Sequence, residues 1–232
     1  MRLRRWDELP SFMKCKEVRQ YYKLLEKKQT QLFIKRIFDV FVSLVLLLIL
    51  AFPMLIIAIS IKIDSSGPVF YRQERVTAYG KIFKIHKFRT MVNNADKIGT
   101  SVTVGNDRRI TKVGSKLRDL RLDELPQLID VLSGNMSFVG ARPEAKKYVK
   151  KYTKEMYATL LLPAGITSEA SIRYKDESKL LDKADDVDKV YINEILPEKM
   201  KYNYLSIRRF SIFSDIITMI RTVFAVLGKE YK

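Results

Sequence analysis

The stretch from Ile37 to Ile61 reads IFDVFVSLVLLLILAFPMLIIAISI, 25 residues in which Asp39 is the only charge. At about 1.5 Å per residue such a run is long enough to cross a hydrocarbon core of about 30 Å. Two features oppose a simple crossing. Pro53 lies inside the run, where it supplies no amide and presses its ring against the carbonyl of Ile49. Neither of the pieces beside it, 37–52 and 54–63, is long enough to span alone. Lys35 and Arg36 flank the start, and Lys62, Arg72 and Arg75 follow the end, so the positive-inside bias holds both ends on one face. The expectation is a re-entrant segment, residues 31–63, that dips in, breaks at Pro53 and leaves on the side it came from. A kinked helix that spans is the alternative, since membrane helices tolerate proline. The mostly polar residues before the run and the lack of a small-residue cleavage site after it argue against a cleaved signal peptide.

Outside this run the composition is that of a folded chain: 232 residues, 47% hydrophobic. Its charge is less ordinary, with 43 Lys and Arg against 26 Asp and Glu, net +17. Residues 1–30 hold nine Lys and Arg against four Asp and Glu, so most of the surplus lies elsewhere and a simple basic tail is excluded. Nucleic acid, an anionic membrane surface and phosphorylated substrates are the partners such charge suits. A single cysteine, Cys15, allows neither an internal disulfide nor a cysteine zinc cluster and fits a reducing compartment.

Residues 1–30 form a basic amphipathic extension, with Trp6, Phe12, Val18, Tyr21, Tyr22, Leu24 and Leu25 as the apolar face. That face suits either an anionic leaflet or the body of the protein. Tyr204–Leu227 is apolar but interrupted by Arg208, Arg209, Asp215 and Arg221, which places it at an interface or on the core. After Asp64-Ser65-Ser66-Gly67-Pro68, the runs Val69–Arg75 and Lys81–Arg89 read as a β-hairpin turning near Gly80. His86 has no histidine or cysteine partner and reads as structural. Residues 92–108 read as a loop, and the acidic 176–189 as a solvated helix face without the glycine of a calcium loop. No GxGxxG and no GxxxxGK[ST] occurs.

The stretch RLDELPQLID, 121–130, sets two carboxylates before a proline. Leu125, Leu128, Ile129 and Leu132 recur at helical spacing, and Ser133-Gly134 is a stop, so a short helix is expected over 122–132. Pro126 is tolerated only in a first turn, which puts Asp123 and Glu124 at the helix start. Acids there cap the helix and offset its dipole, worth about 1 kcal/mol. Free amides at the same end also bind phosphate, and Arg118, Arg121 and Arg142 surround the pair. Carboxylates, arginines and free amides together suit a magnesium-bound diphosphate.

LDELPQLIDVLSGNMSFVGARPE, 122–144, resembles the signature of the bacterial sugar transferase family, the monotopic polyprenyl-phosphate phosphoglycosyl transferases. KRIFDVFVSLVLLLILAFP resembles the family's membrane segment, GPVFYRQERVTAYGKIFKIHKFRTM its hairpin, DRRITKVGSKLR the approach to the acids, and GITS, 165–168, a later turn. The likeness runs from about Ile34 to Thr222, in the family's small, core-only form. It implies an α+β chain: a membrane re-entrant helix hairpin joined to a small, mostly helical cytoplasmic catalytic domain, 64–232, with a short β-hairpin and interfacial amphipathic helices. It also implies transfer of a phospho-sugar from a UDP-sugar to a polyprenyl (undecaprenyl) phosphate, with release of UMP, at the cytoplasmic face of the bacterial inner membrane. Asp123 matches the family's nucleophile, which carries a covalent aspartyl phospho-sugar. Glu124 matches its helper toward Mg2+ or the departing UMP, with the metal shared by Asp123 and Glu124. Arg89, Arg118 and Arg142 match arginines placed around the diphosphate, and Pro53 the break of the hairpin. Phe52 stands where the family has serine, Gly140-Ala141-Arg142-Pro143 where it has GPRP, and Pro163-Ala164 where it has arginine and proline before GIT.

Two rivals belong to other classes. A membrane-tethered nucleic-acid-binding module would explain the charge and the aromatics Tyr71, Phe83 and Phe88, but no RNP, helix-turn-helix or zinc signature is present. An inactive scaffold of a glycan-assembly complex is opposed by the intact set Asp123, Glu124, Arg118 and Arg142. Anionic lipids are therefore the expected macroscopic partner, nucleic acid is not, and a homo-oligomer stays open. The sugar is not legible; its selection is expected in 93–107 and 163–188.

Overall fold

The computed structural model describes residues 1–95, 107–175, 177, 181 and 186–228. Most of the 93–107 stretch and part of 176–189 lie outside them. The first long element after two short 3₁₀ turns is α1, Lys16–Glu26. Val18, Tyr21, Tyr22 and Leu25 recur at the spacing of one helix face, and all four are buried. They join Met13, Leu32, Leu161, Ile207 and Phe210 in one cluster, so the apolar face of the extension is taken by the protein body.

Helix α2 is a single element, Gln29–Asp64, about 54 Å long at 1.5 Å per residue. It continues through Pro53, so the two expected pieces are joined: the missing amide removes one hydrogen bond from the helix without ending it. By length and composition it could cross a membrane, with a hydropathy of 3.1 in its most apolar window. One stripe of it packs on the protein from end to end. Leu32, Lys35, Asp39 and Ser43 are buried near the start, Phe38, Val42, Leu46, Leu47 and Leu50 contact one core cluster, and Met54, Ile57, Ala58 and Ile61 contact another. The opposite face, including Phe41, Leu48, Ile49, Phe52, Leu55 and Ile63, is exposed.

The hairpin forms as expected: β1, Phe70–Val76, pairs antiparallel with β2, Ile82–Phe88, Phe70 opposite Phe88 and Val76 opposite Ile82. A 3₁₀ turn, Ala78–Gly80, joins them. Helix α3, Lys112–Asp119, follows, with Thr111 as its cap, accepting a hydrogen bond from the Gly114 amide. Asp64 at the end of α2 accepts from the Val113 amide at 2.9 Å, which ties α3 to the long helix. Gly114 is required there, because a Cβ would lie 2.0 Å from the Thr90 carbonyl oxygen.

Helix α4, Gln127–Leu132, packs against α2, and its end is closed by Gly134 at φ +82°. Arg36 of α2 donates to the carbonyls of Val131 and Leu132 at 2.7 and 2.9 Å, capping α4 from outside. A second sheet was not anticipated: β3, Met136–Val139, pairs in parallel with β4, Ala164–Thr167. The short helices α5, Lys146–Val149, α6, Glu169–Arg173, and α7, Val187–Val190, lead through a π-helical turn, Tyr191–Ile195, to α8, Leu196–Arg208. Helix α9, Ile212–Val226, lies against α2 and exposes Phe213, Ile220 and Val223 beside the apolar face of α2.

Candidate active site

Asp123 and Glu124 sit in a 3₁₀ turn, Leu122–Glu124, ahead of α4, so the helix expected over 122–132 is two elements meeting at Pro126. Pro126 has no amide to continue the first turn and becomes the cap of the second. The turn is entered through Arg121 at φ +56°, a left-handed conformation that costs a non-glycine residue about 1–3 kcal/mol. Its side chain donates to the Lys175 carbonyl at 2.9 Å. Two further contacts fix α4 on the hairpin: Asp130 accepts from the His86 amide at 2.8 Å and meets His86 Nδ1 at 2.8 Å. The lone histidine is thus structural.

The two carboxylates have different surroundings. Lys87 Nζ donates to Glu124 Oε1 at 2.8 Å, Arg142 Nη1 donates to Glu124 Oε2 at 3.2 Å, and Arg142 Nη2 donates to Oε1. Burial pushes the Glu124 carboxyl up, but Arg142 and Lys87 together hold it well below the usual range. Arg142 is raised in turn, chiefly by Glu124. Lys87 is lowered, because its burial outweighs the pull of Glu124. Asp123 accepts no hydrogen bond among the described residues and stays partly exposed. Burial pushes its carboxyl above the usual value, against the opposing charges of Lys87, Arg118 and Arg142.

The structure therefore brings together Asp123, Glu124, Arg118 and Arg142. Arg118, on α3, acts on Asp123 through its charge. Arg89 goes elsewhere: it donates to the carbonyls of Ser65 and Ser66 and to Ser65 Oγ, and the charge acting on it is Asp64. There it fastens the loop that follows α2. Pro53 lies within α2, on the exposed side. Lys87 is the residue the sequence reading missed. Its signal was parity: it falls on the same strand face as buried Phe83 and Ile85.

Comparison with known proteins identifies the family. Residues 30–229 match the family described as bacterial sugar transferase. The chain belongs to the bacterial sugar transferase family. Among its relatives are a UDP-N-acetylgalactosamine-undecaprenyl-phosphate N-acetylgalactosaminephosphotransferase of Aeromonas hydrophila, 33% identical over 84% of this chain, and a UDP-glucose:undecaprenyl-phosphate glucose-1-phosphate transferase of Escherichia coli (strain K12), 36% identical over 82%. An undecaprenyl-phosphate galactose phosphotransferase of Salmonella typhimurium is 28% identical over 88% of this chain. The matches cover 44%, 39% and 42% of those three relatives' own lengths.

Proposed function

We propose that this chain transfers a phospho-sugar from a UDP-sugar to a polyprenyl phosphate through a covalent intermediate on Asp123. The observation that carries the reading is the asymmetry of the acidic pair: Glu124 is neutralised by two cations, while Asp123 is partly open and has no hydrogen-bond or ion-pair partner among the described residues. In the first step an Asp123 carboxylate oxygen bonds to the sugar-linked phosphorus. The bond from that phosphorus to the bridging oxygen breaks, and UMP leaves with the electron pair. In the second step a phosphate oxygen of the polyprenyl phosphate attacks the same phosphorus and releases Asp123 as a carboxylate. Lys87, Arg142 and Arg118 offset the charge that develops on the phosphoryl oxygens. Three named relatives differ in their sugar, so the family alone does not fix the one used here.

Magnesium fits this residue set in a limited way. The oxygens of Glu124 are occupied by Lys87 and Arg142, which leaves Asp123 as the carboxylate with free lone pairs. Among the described residues no group of three or more metal-ligating side chains occurs. That donor set suits an ion brought in by the diphosphate and held at Asp123, since magnesium commonly keeps one or two carboxylates with phosphate and water. When bound it would neutralise diphosphate charge.

The same reading places the chain on a membrane without crossing it. Both flanks of Pro53 pack on one body, through Leu46, Leu47 and Leu50 on one side and Met54, Ile57 and Ile61 on the other. The apolar faces of α2 and α9 then dip into one leaflet, at the cytoplasmic face of the inner membrane. Single cysteines at exposed Thr30 and Ser66, in a Cys15→Ser background, should both be labelled from the same side of sealed vesicles. Labelling from opposite sides would mean a spanning helix.

The chemical test is a screen of UDP-sugars in detergent, with magnesium and undecaprenyl phosphate, for UMP release. Wild-type protein given an active donor alone should gain the phospho-sugar mass before acceptor is added. Release without any adduct would replace the covalent route by direct transfer.

A further inference from the structure

Arg75 lies on the hairpin face that carries the active-site lysine. In the ladder Arg75 faces Phe83 and Tyr71 faces Lys87, and residues of one parity share a face, so Arg75, Phe83, Ile85 and Lys87 all look the same way. The Val76 amide donates to the Glu144 carbonyl at 2.9 Å, which holds the segment bearing Arg142 and Glu144 beside Arg75. Arg75 is half-buried, and its guanidinium makes one hydrogen bond, from Nη1 to the Glu74 carbonyl at 3.3 Å. Among the described residues no carboxylate pairs with it.

Its nearest charges explain why this matters. Glu144 and Arg142 act on it from opposite directions. Glu144 is committed elsewhere: it accepts from the Tyr191 hydroxyl at 2.6 Å and lies 3.6 Å from Lys199, which also pairs with Glu177 at 2.9 Å. Arg142 is committed to Glu124 on its other side. Two partly buried guanidinium groups that feel one another's charge repel unless an anion sits between them, and the guanidinium fork matches a phosphate.

We propose that Arg75 holds the phosphate of the departing UMP, with Arg142 between it and the attacked phosphorus at Asp123. This rests on the phosphoglycosyl transferase reading. The order is taken from the ladder: Lys87 and Arg142 both reach Glu124 beside Asp123, while Arg75 stands four residues along β1 from the rung of Lys87. The nucleotide phosphate is the anion on that side. Once UMP has left, Arg75 has no further role, so it serves the first half-reaction alone.

The experiment measures UMP binding by calorimetry, and each half-reaction separately, for wild type, Arg75→Gln and Arg75→Lys, with thermal melts of all three. Losing a charge-assisted hydrogen bond should weaken UMP binding and raise KM for the donor by about 10- to 100-fold in Arg75→Gln. Arg75→Lys should recover part of this. Transfer from preformed adduct to polyprenyl phosphate should proceed at the wild-type rate in both. Wild-type UMP affinity in Arg75→Gln overturns the assignment. So does equal slowing of both half-reactions with a lowered Tm, which would make Arg75 structural. If wild-type protein neither binds nor releases UMP, the transferase reading itself falls.

Discussion

Two ionic clusters in this protein pair their charges differently. Between α2 and α9, Lys35 pairs with Asp215 at 2.5 Å and lines a small cavity with Asp39. At the acidic turn, Lys87 and Arg142 both serve Glu124, and Asp123 stands beside them unpaired among the described residues. Each cluster thus leaves one carboxylate over. Asp39 is 1% exposed and accepts from the Phe138 amide at 3.3 Å, so it is sealed in and can only hold structure. Asp123 is partly open and accepts nothing among the described residues, so a substrate can reach it. Access, more than burial or charge, separates chemistry from architecture here.

The strongest way to break that comparison is Asp123→Asn. The proposed nucleophile cannot be replaced by an amide, so UMP release should fall at least about 1,000-fold and the adduct should vanish. Stability should move the other way. Burial raises the Asp123 pKa in the folded state, so its ionised form at neutral pH costs folding free energy, and the uncharged amide should leave Tm unchanged or higher. An Asn variant that still gains the phospho-sugar would move the nucleophile elsewhere.

Glu124→Gln should show the reverse balance. It strips the shared counter-ion from two buried cations, where breaking a sealed pair costs about 3–5 kcal/mol. Arg142 keeps 32% of its side chain exposed, so solvent relieves part of that and about 2 kcal/mol is expected, a Tm loss of about 4–8 °C. Differential scanning calorimetry reads it directly. An unchanged Tm would mean that the clamp on Glu124 is not formed in solution.

A smaller effect is the pH profile of the first turnover. Asp123 must be ionised, and its raised pKa places the acid limb above the usual carboxylate value, with the rate falling about tenfold per unit below it. Lys87 is lowered by burial, so an alkaline limb should lie below the usual lysine value of about 10.4, as the ammonium that steadies Glu124 is lost. Lys87→Arg should remove the alkaline limb and spare the acid one. An acid limb at an ordinary carboxylate pKa would contradict the desolvated nucleophile.

Much of this contrast was legible in sequence, for reasons that differ by residue. The long apolar run, the hairpin and the acidic turn are local, and their periodicity, glycine and proline are visible in a few residues at a time. Lys87 was overlooked because IFKIHKF reads as a strand with exposed lysines; Lys84 is indeed exposed, while Lys87 shares the parity of Phe83 and Ile85 and turns inward. Arg89 matched a family arginine by motif, yet its place on Ser65 and Ser66 depends on where α2 ends. The parallel pairing of β3 and β4 joins residues far apart in the chain, and nothing local marks it. Charge pairing across α2 and α9 is equally non-local: Lys35 and Asp215 are 180 residues apart.

That pair supplies the smallest expected effect. Removing Asp215 leaves a second acid, Asp39, in the same cluster, whereas removing Glu124 takes away the one carboxylate that both Lys87 and Arg142 contact. Burial pushes the Asp215 carboxyl up more than Lys35 pulls it down, and Asp39 adds to the push. In Asp215→Asn the amide can still accept from Lys35, and Asp39, one helical turn from Lys35 on α2, remains as an acid lining the same cavity. The expected loss is therefore about 1 kcal/mol or less, with UMP release and donor KM at wild-type values, because neither residue touches the acidic turn. Paired urea melts and initial rates check this. A loss as large as that of Glu124→Gln would show that Lys35 relies on Asp215 alone, and that counting carboxylates across the cluster misjudges which of them shares its charge.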